Sequence, residues 1–124
     1  MKYLIGLILF LSTLTAQVTD KNFKDKVENG FTVIVFTSDW QEKDLDGSVL
    51  KGVAGFEDAQ ILTVKSADLK KVVKKLRIRN YPSIALFHDG SKKEVWKADM
   101  DGEVDCTAKD IKKAIQDAMG GDVF

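Results

Sequence analysis

The sequence predicts an α/β fold, one central mixed β-sheet flanked by helices on both faces, and three observations predict it. Candidate elements alternate as helix, strand, helix, strand, helix, and then close as strand, strand, helix. The run Phe31–Thr37 is apolar, aromatic and β-branched without polar alternation, the pattern of a strand buried on both faces. Asp89-Gly90 stands between two short β-type runs, a strong short-range hairpin signal. The alternating half calls for parallel pairing and the hairpin for antiparallel pairing, so the sheet is expected to be mixed.

Thr19 or Asp20 is placed to cap a short first helix with Phe23 and Val27, four residues apart, on its inner face, and Gly30 ends it. After the strand Phe31–Thr37, residues 41–53 are ambiguous: Leu45, Val49 and Val53 recur every four residues, but Gly47 and Gly52 weaken a helix. Residues 61–64 read as a second short apolar strand. Ser66 is placed to cap the next helix, which sets Leu69, Val72, Val73 and Leu76 on one face and Lys70, Lys71, Lys74 and Lys75 on the other. No aromatic residues interleave with these lysines for base stacking, so they read as a solvated face. Residues 84–87 and 93–96 supply the hairpin strands. Thr107 with Asp110 has the form of a capping box, aspartate replacing glutamate, and opens a last helix with Ile111, Ala114, Ile115, Ala118 and Met119 inward.

Three local stretches resemble the thioredoxin family. Val18-Thr19-Asp20-Lys21-Asn22-Phe23 resembles the family's opening strand and first helix. Val33-Ile34-Val35-Phe36-Thr37-Ser38-Asp39-Trp40 resembles its central strand and the tryptophan just before the active site. Arg77-Ile78-Arg79-Asn80-Tyr81-Pro82-Ser83-Ile84-Ala85-Leu86-Phe87-His88-Asp89-Gly90 resembles the segment with the cis-proline and the hairpin, and its lone proline and Asp-Gly turn give it the most specific match. Together the three cover most of residues 18–119, and they imply a thioredoxin-like fold.

The resemblance also defines what is missing. Active members carry Cys-x-x-Cys after that tryptophan, at a helix start that lowers the first thiol's pKa. Here the stretch reads Gln41-Glu42-Lys43-Asp44, with no sulfur at either degenerate position, Gln41 or Asp44. The family's buried aspartate, which helps deprotonate the resolving thiol, falls on Val35. Both nucleophiles and their proton acceptor are gone together, so the resemblance implies a redox-inactive member. What it leaves is a binding face. In the family the residue before the cis-proline hydrogen-bonds an extended substrate through its backbone. Tyr81 holds that place with Pro82 after it, Trp40 shares the face, and Gln41 and Asp44 stand at its rim. The family's glycine after the last strand, which lines the groove, falls near Ala98. Packing of Trp40 and Tyr81 for its own sake is the competing explanation of those two aromatics.

Other signals are weaker. Cys106, just ahead of the last helix, is a candidate reactive thiol, set against an inert or partly buried one. His88 has no second histidine for a metal or a nucleophile and is expected to face solvent. Glu42, Asp44 and Asp46 precede Gly47 at EF-hand offsets, but the twelfth position is Val53 rather than glutamate. Asp99, Asp101, Glu103 and Asp105 read as a solvated acidic loop. No phosphate-binding glycine loop or Ser-His-Asp set is found, and neither a cofactor nor a metal is expected.

Composition bounds the rest. The chain has 124 residues, with 44% hydrophobic and 31% charged, enough for one globular domain. Lys plus Arg and Asp plus Glu both total 19, which gives no electrostatic reason to bind nucleic acid or an anionic membrane. One cysteine excludes an intrachain disulfide and a dithiol cycle. Residues 1–16 have the order of a signal peptide: a positive start at Lys2, an apolar run over 3–11, and a small, polar end at Ala16. The apolar run is shorter than the roughly 20 residues of a membrane-spanning helix. Cleavage is expected after Ala16, leaving 17–124 as a single thioredoxin-like domain, periplasmic or secreted, with no stable membrane insertion; an uncleaved membrane anchor is the alternative. Three functions are carried forward. The first is a binding module for an extended or unfolded protein segment at Trp40, Gln41, Asp44, Tyr81 and Pro82. The second is a one-cysteine thiol oxidoreductase in cell redox homeostasis using Cys106. The third is a structural or assembly role, as a homodimer along a sheet edge or through a Cys106–Cys106 bridge.

Overall fold

The computed structural model describes residues 18–41 and 44–120; the expected signal segment 1–16 lies outside them. In chain order the elements are α1 (Phe23–Lys26), β1 (Phe31–Thr37), a 3-10 segment η1 (Gly47–Val53), β2 (Ala59–Lys65), a 3-10 turn η2 (Ser66–Asp68), α2 (Lys70–Leu76), β3 (Ser83–His88), β4 (Ser91–Trp96) and α3 (Ala108–Gly120). The sheet runs β2-β1-β3-β4. β1 pairs in parallel with β2 and antiparallel with β3, and β3 pairs antiparallel with β4. The fold is the mixed α/β, thioredoxin-like one that the sequence predicts.

Strand periodicity explains how the two faces are built. Successive side chains of a strand point to opposite faces. Ile34 and Phe36 of β1 and Ala85 and Phe87 of β3 enter one core with Phe23, Val27, Leu69, Ile78 and Tyr81. Phe31 and Val33 of β1 and Ile84 and Leu86 of β3 enter the other with Val49, Cys106, Ile111 and Ile115. Each fully buried aliphatic or aromatic side chain contributes about 1.5–3 kcal/mol. β1 carries such residues to both cores, so it is the element the fold depends on most.

Several local expectations change. Ser66 does not cap α2, because residues 66–68 form a 3-10 turn first. The cap comes from 51 residues away: Asp20 accepts from the Lys71 and Val72 N–H groups, each at 3.1 Å. Asp20 therefore serves α2 rather than α1, and Thr19 donates its own N–H to Asn22 Oδ1. Residues 18–22 form no strand. The ambiguous stretch resolves as η1, opened by Asp46, whose carboxylate accepts from Ser48 N–H at 3.0 Å. Gly52 is required there by proximity, since a Cβ would drive into the Ala108 carbonyl and Ile111 at the start of α3.

The Thr107–Asp110 capping box forms reciprocally, at 2.9 and 3.2 Å. Met119 does not turn inward: it is 59% exposed, beyond the last contacts that hold Ile111 and Ile115. His88 is half-buried, stacked on Phe31 with ring centroids 4.0 Å apart, and 3.3 Å from the Asp89 carboxylate. The turn beside it is fixed from outside the hairpin, because Gly30 N–H donates to Asp89 Oδ1 at 2.8 Å. Among the described residues no helix is long and apolar enough to cross a membrane.

Candidate functional site

The site forms where β1 ends, where β3 begins, and where the chain turns back after β4. Thr37 secures the end of β1 by donating its hydroxyl to the Val64 carbonyl at 2.9 Å. The next residues make a tight turn. Gln41 N–H donates to the Ser38 carbonyl at 3.4 Å, and Gln41 Oε1 accepts from Ser38 N–H at 3.0 Å. Gln41 Nε2 reaches Asp44 Oδ1 at 3.4 Å, a long contact. The two degenerate positions thus carry an amide and a carboxylate in place of two thiols. Val35, behind them on β1, is buried.

The turn projects Trp40 outward, 66% exposed. Its indole meets the Tyr81 ring edge to face, centroids 5.5 Å apart at 86°. Tyr81 packs inward, as the competing explanation of this aromatic has it. The residue is 6% exposed and belongs to the core with Phe36, Leu69 and Phe87. Burial raises its phenol pKa, and a hydrogen bond with Ser66 offsets part of that. Neither the backbone N–H nor the carbonyl of Tyr81 joins a backbone hydrogen bond among the described residues. The Tyr81–Pro82 peptide bond is cis. Ser83 anchors the start of β3, its hydroxyl donating to the Asn80 carbonyl at 2.7 Å and accepting from Ala98 N–H at 2.9 Å.

Two adjoining clefts flank this backbone. One, of about 100 Å³, lies between Trp40, Gln41 and Tyr81 on one side and Asp99, Met100 and Asp101 on the other. The second, of about 440 Å³, has Leu45, Val49, Pro82 and Val104 in its lining and Asp44, Asp46 and Glu103 around it. Gly102 lines both, and a Cβ there would come within 3.4 Å of the Tyr81 carbonyl. The structure therefore brings Trp40, Gln41 and Tyr81 to one cleft and Asp44 and Pro82 to its neighbour. Ala98 lines neither, being buried and tied to Ser83.

Sequence reasoning missed Met100 and Gly102. The acidic loop that holds them is legible in the sequence, but Asp99 in it folds a turn. Asp99 Oδ1 accepts from Asp101 N–H and Glu103 N–H at 2.9 and 3.0 Å, and Asp99 N–H donates to the Glu103 carbonyl at 2.8 Å. No group of side chains suited to a metal occurs among the described residues. Asp46, at the cleft edge, is held below the usual carboxylate range by its hydrogen bonds from Ser48.

Cys106 lines the second cleft, 6% exposed. Its Sγ–H points to the Thr107 carbonyl at 3.8 Å. Burial, with Asp110, Asp105 and Glu94 nearby, pushes the thiol up to about 12. Those surroundings oppose the thiolate that nucleophilic chemistry needs.

Comparison with known proteins agrees with the fold. The family model described as Thioredoxin matches residues 14–117. No curated protein sequence matches. Among solved structures, mitochondrial thioredoxin 3 from Saccharomyces cerevisiae (oxidized form) superposes with a TM-score of 0.62 at 17% identity, over 85% of this chain and 96% of that one. A thioredoxin from Trypanosoma brucei brucei gives 0.59 at 16% identity, over 85% and 93%. The first two thioredoxin domains of Naumovozyma dairenensis Eps1p give 0.52 at 17% identity, where the match covers 66% of this chain and 34% of the larger one. At such identities the likeness concerns the fold.

Proposed function

The chain belongs to the thioredoxin family, and from that premise we propose that it is an exported binding module without dithiol redox chemistry. It takes an extended or unfolded protein segment at the face made by Trp40, the Tyr81–Pro82 backbone and Gly102. One observation carries this reading. An exposed indole packs on Tyr81, whose backbone N–H and carbonyl join no backbone hydrogen bond among the described residues, so a segment laid there gains main-chain hydrogen bonds and an aromatic contact together. The absence of sulfur at residues 41 and 44 supports binding without turnover. A mechanism through Cys106 is the poorer reading, because the thiol is buried beside three carboxylates.

Amide shift mapping tests the reading. Titration with an unfolded polypeptide whose cysteines are carboxamidomethylated should move the Trp40 indole N–H and the amides of Tyr81 and Gly102. Shifts confined to another face would contradict it. Export, to the periplasm or the exterior, is the remaining part of the proposal and rests on the charged, apolar and small order of residues 1–16. N-terminal sequencing of protein from the extracytoplasmic fraction should begin at Gln17; a retained Met1 would contradict cleavage.

A further inference from the structure

We propose that the cleft between Trp40 and the 99–102 turn is a subsite for a cationic side chain, so that the segment bound at this face carries lysine or arginine. The inference rests on the proposed peptide groove and adds to it the chemistry of the occupant. Four large hydrophobic residues are exposed among those described, and two of them, Trp40 at 66% and Met100 at 92%, border this one cleft. At about 100 Å³ the space suits one side-chain head rather than a whole peptide. Its walls combine an exposed indole, whose π face attracts cations, with the carboxylates of Asp99 and Asp101. Asp99 is committed to its turn through Oδ1. The Asp101 carboxylate has no hydrogen bond or ion pair among the described residues, which leaves it for a ligand.

The surroundings have the same sign. Asp44, Asp46 and Glu103 line the adjoining cleft, and no described lysine, arginine or histidine lines either one. The charge balance of the whole chain conceals this polarity. A third cleft, on the side of α1 and α2, is lined instead by Lys24, Lys75 and Lys92 with no carboxylate. An acidic segment approaching the Trp40 face meets five carboxylates, whereas a basic one is drawn toward them and seats its cation over the indole.

The test uses three synthetic peptides of one length and one uncharged backbone sequence, carrying arginine, glutamine or glutamate at the same two positions. Their affinities are measured for wild type, Asp101→Asn and Trp40→Ala. The arginine peptide should bind wild type about tenfold more tightly than the glutamine peptide at low salt. The gap should close as salt screens it. Asp101→Asn, an exposed substitution that keeps the side-chain shape, should weaken only the arginine peptide, severalfold. Equal affinity for arginine and glutamine peptides, with Trp40→Ala weakening both, would overturn this inference and leave the peptide groove standing. Absence of binding by any peptide would overturn both. Sedimentation of wild type alone supplies the remaining outcome: self-association at low salt that Asp101→Asn abolishes would assign the cleft to the lysine-lined face of a second copy, and would also overturn the inference.

Discussion

Replacing Tyr81 by alanine separates what that residue does for the fold from what it does for the surface. The residue is 6% exposed and packs in one core with Phe36, Leu69, Ile78 and Phe87. Truncating a buried aromatic costs about 3–5 kcal/mol, from lost burial plus the cavity left behind. Ser66 also loses its hydrogen-bond partner, a smaller cost of about 1 kcal/mol or less. Against a total stability of about 5–15 kcal/mol, this is a large fraction. Trp40→Ala is the contrast: its indole is mostly in water and touches Tyr81 by an edge, so about 0.5–1.5 kcal/mol is at stake. Urea denaturation followed by circular dichroism reads both. With a slope of about 1–3 kcal/mol per molar urea, Tyr81→Ala should lower the midpoint by a molar or more, and Trp40→Ala by well under that. A Tyr81→Ala midpoint within experimental error of wild type, or a greater loss for Trp40→Ala, would refute the assignment of the ring to the core. Loss of binding in Tyr81→Ala is therefore no test of the groove; Trp40→Ala is the variant that probes it.

Particular contacts set further outcomes. Native Cys106 should alkylate far more slowly at neutral pH than in denaturant, because its thiol is pushed up to about 12; equal rates would contradict its burial. The same shift makes stability pH-dependent: above pH 9.0 an unfolded chain gains a thiolate that the folded one withholds until about 12, so stability should fall across that window and Cys106→Ala should flatten the fall. Asp20→Ala removes the cap shared by the Lys71 and Val72 amides and should cost about 0.5–2 kcal/mol by urea denaturation, whereas Ser66→Ala should cost less. Gly52→Ala should cost about 1–3 kcal/mol, because a Cβ there meets the Ala108 carbonyl and Ile111; a neutral effect would show that α3 and η1 are not in close contact.

Features set by local pattern were legible in the sequence. The apolar run of β1, the Asp89-Gly90 hairpin and the Thr107–Asp110 capping box need only neighbours a few residues away, and each stands where its pattern predicts. Features set by distant partners were not legible. Asp20 caps α2 across 51 residues, so nothing local distinguished it from a cap for α1. Gly52 suggests a helix breaker in sequence and acts as a spacer against α3 in the fold. His88 was expected in solvent because its partner, Phe31, lies on another strand. For the candidate site, sequence offered Trp40, Gln41, Asp44, Tyr81 and Pro82 but not how far each is exposed. Tyr81 is buried where Trp40 is exposed, and Met100 joins Trp40 at one cleft only because the turn built by Asp99 carries it there.

The most direct test of the central claim is one affinity titration of a fluorescently labelled, unfolded polypeptide with blocked cysteines against wild type, Cys106→Ser and Trp40→Ala under non-reducing conditions. The account predicts reversible binding by wild type, the same affinity for Cys106→Ser, and clear weakening for Trp40→Ala. Binding lost with Cys106→Ser and kept by Trp40→Ala would mean a thiol mechanism and contradict a binding face at Trp40, Tyr81 and Pro82.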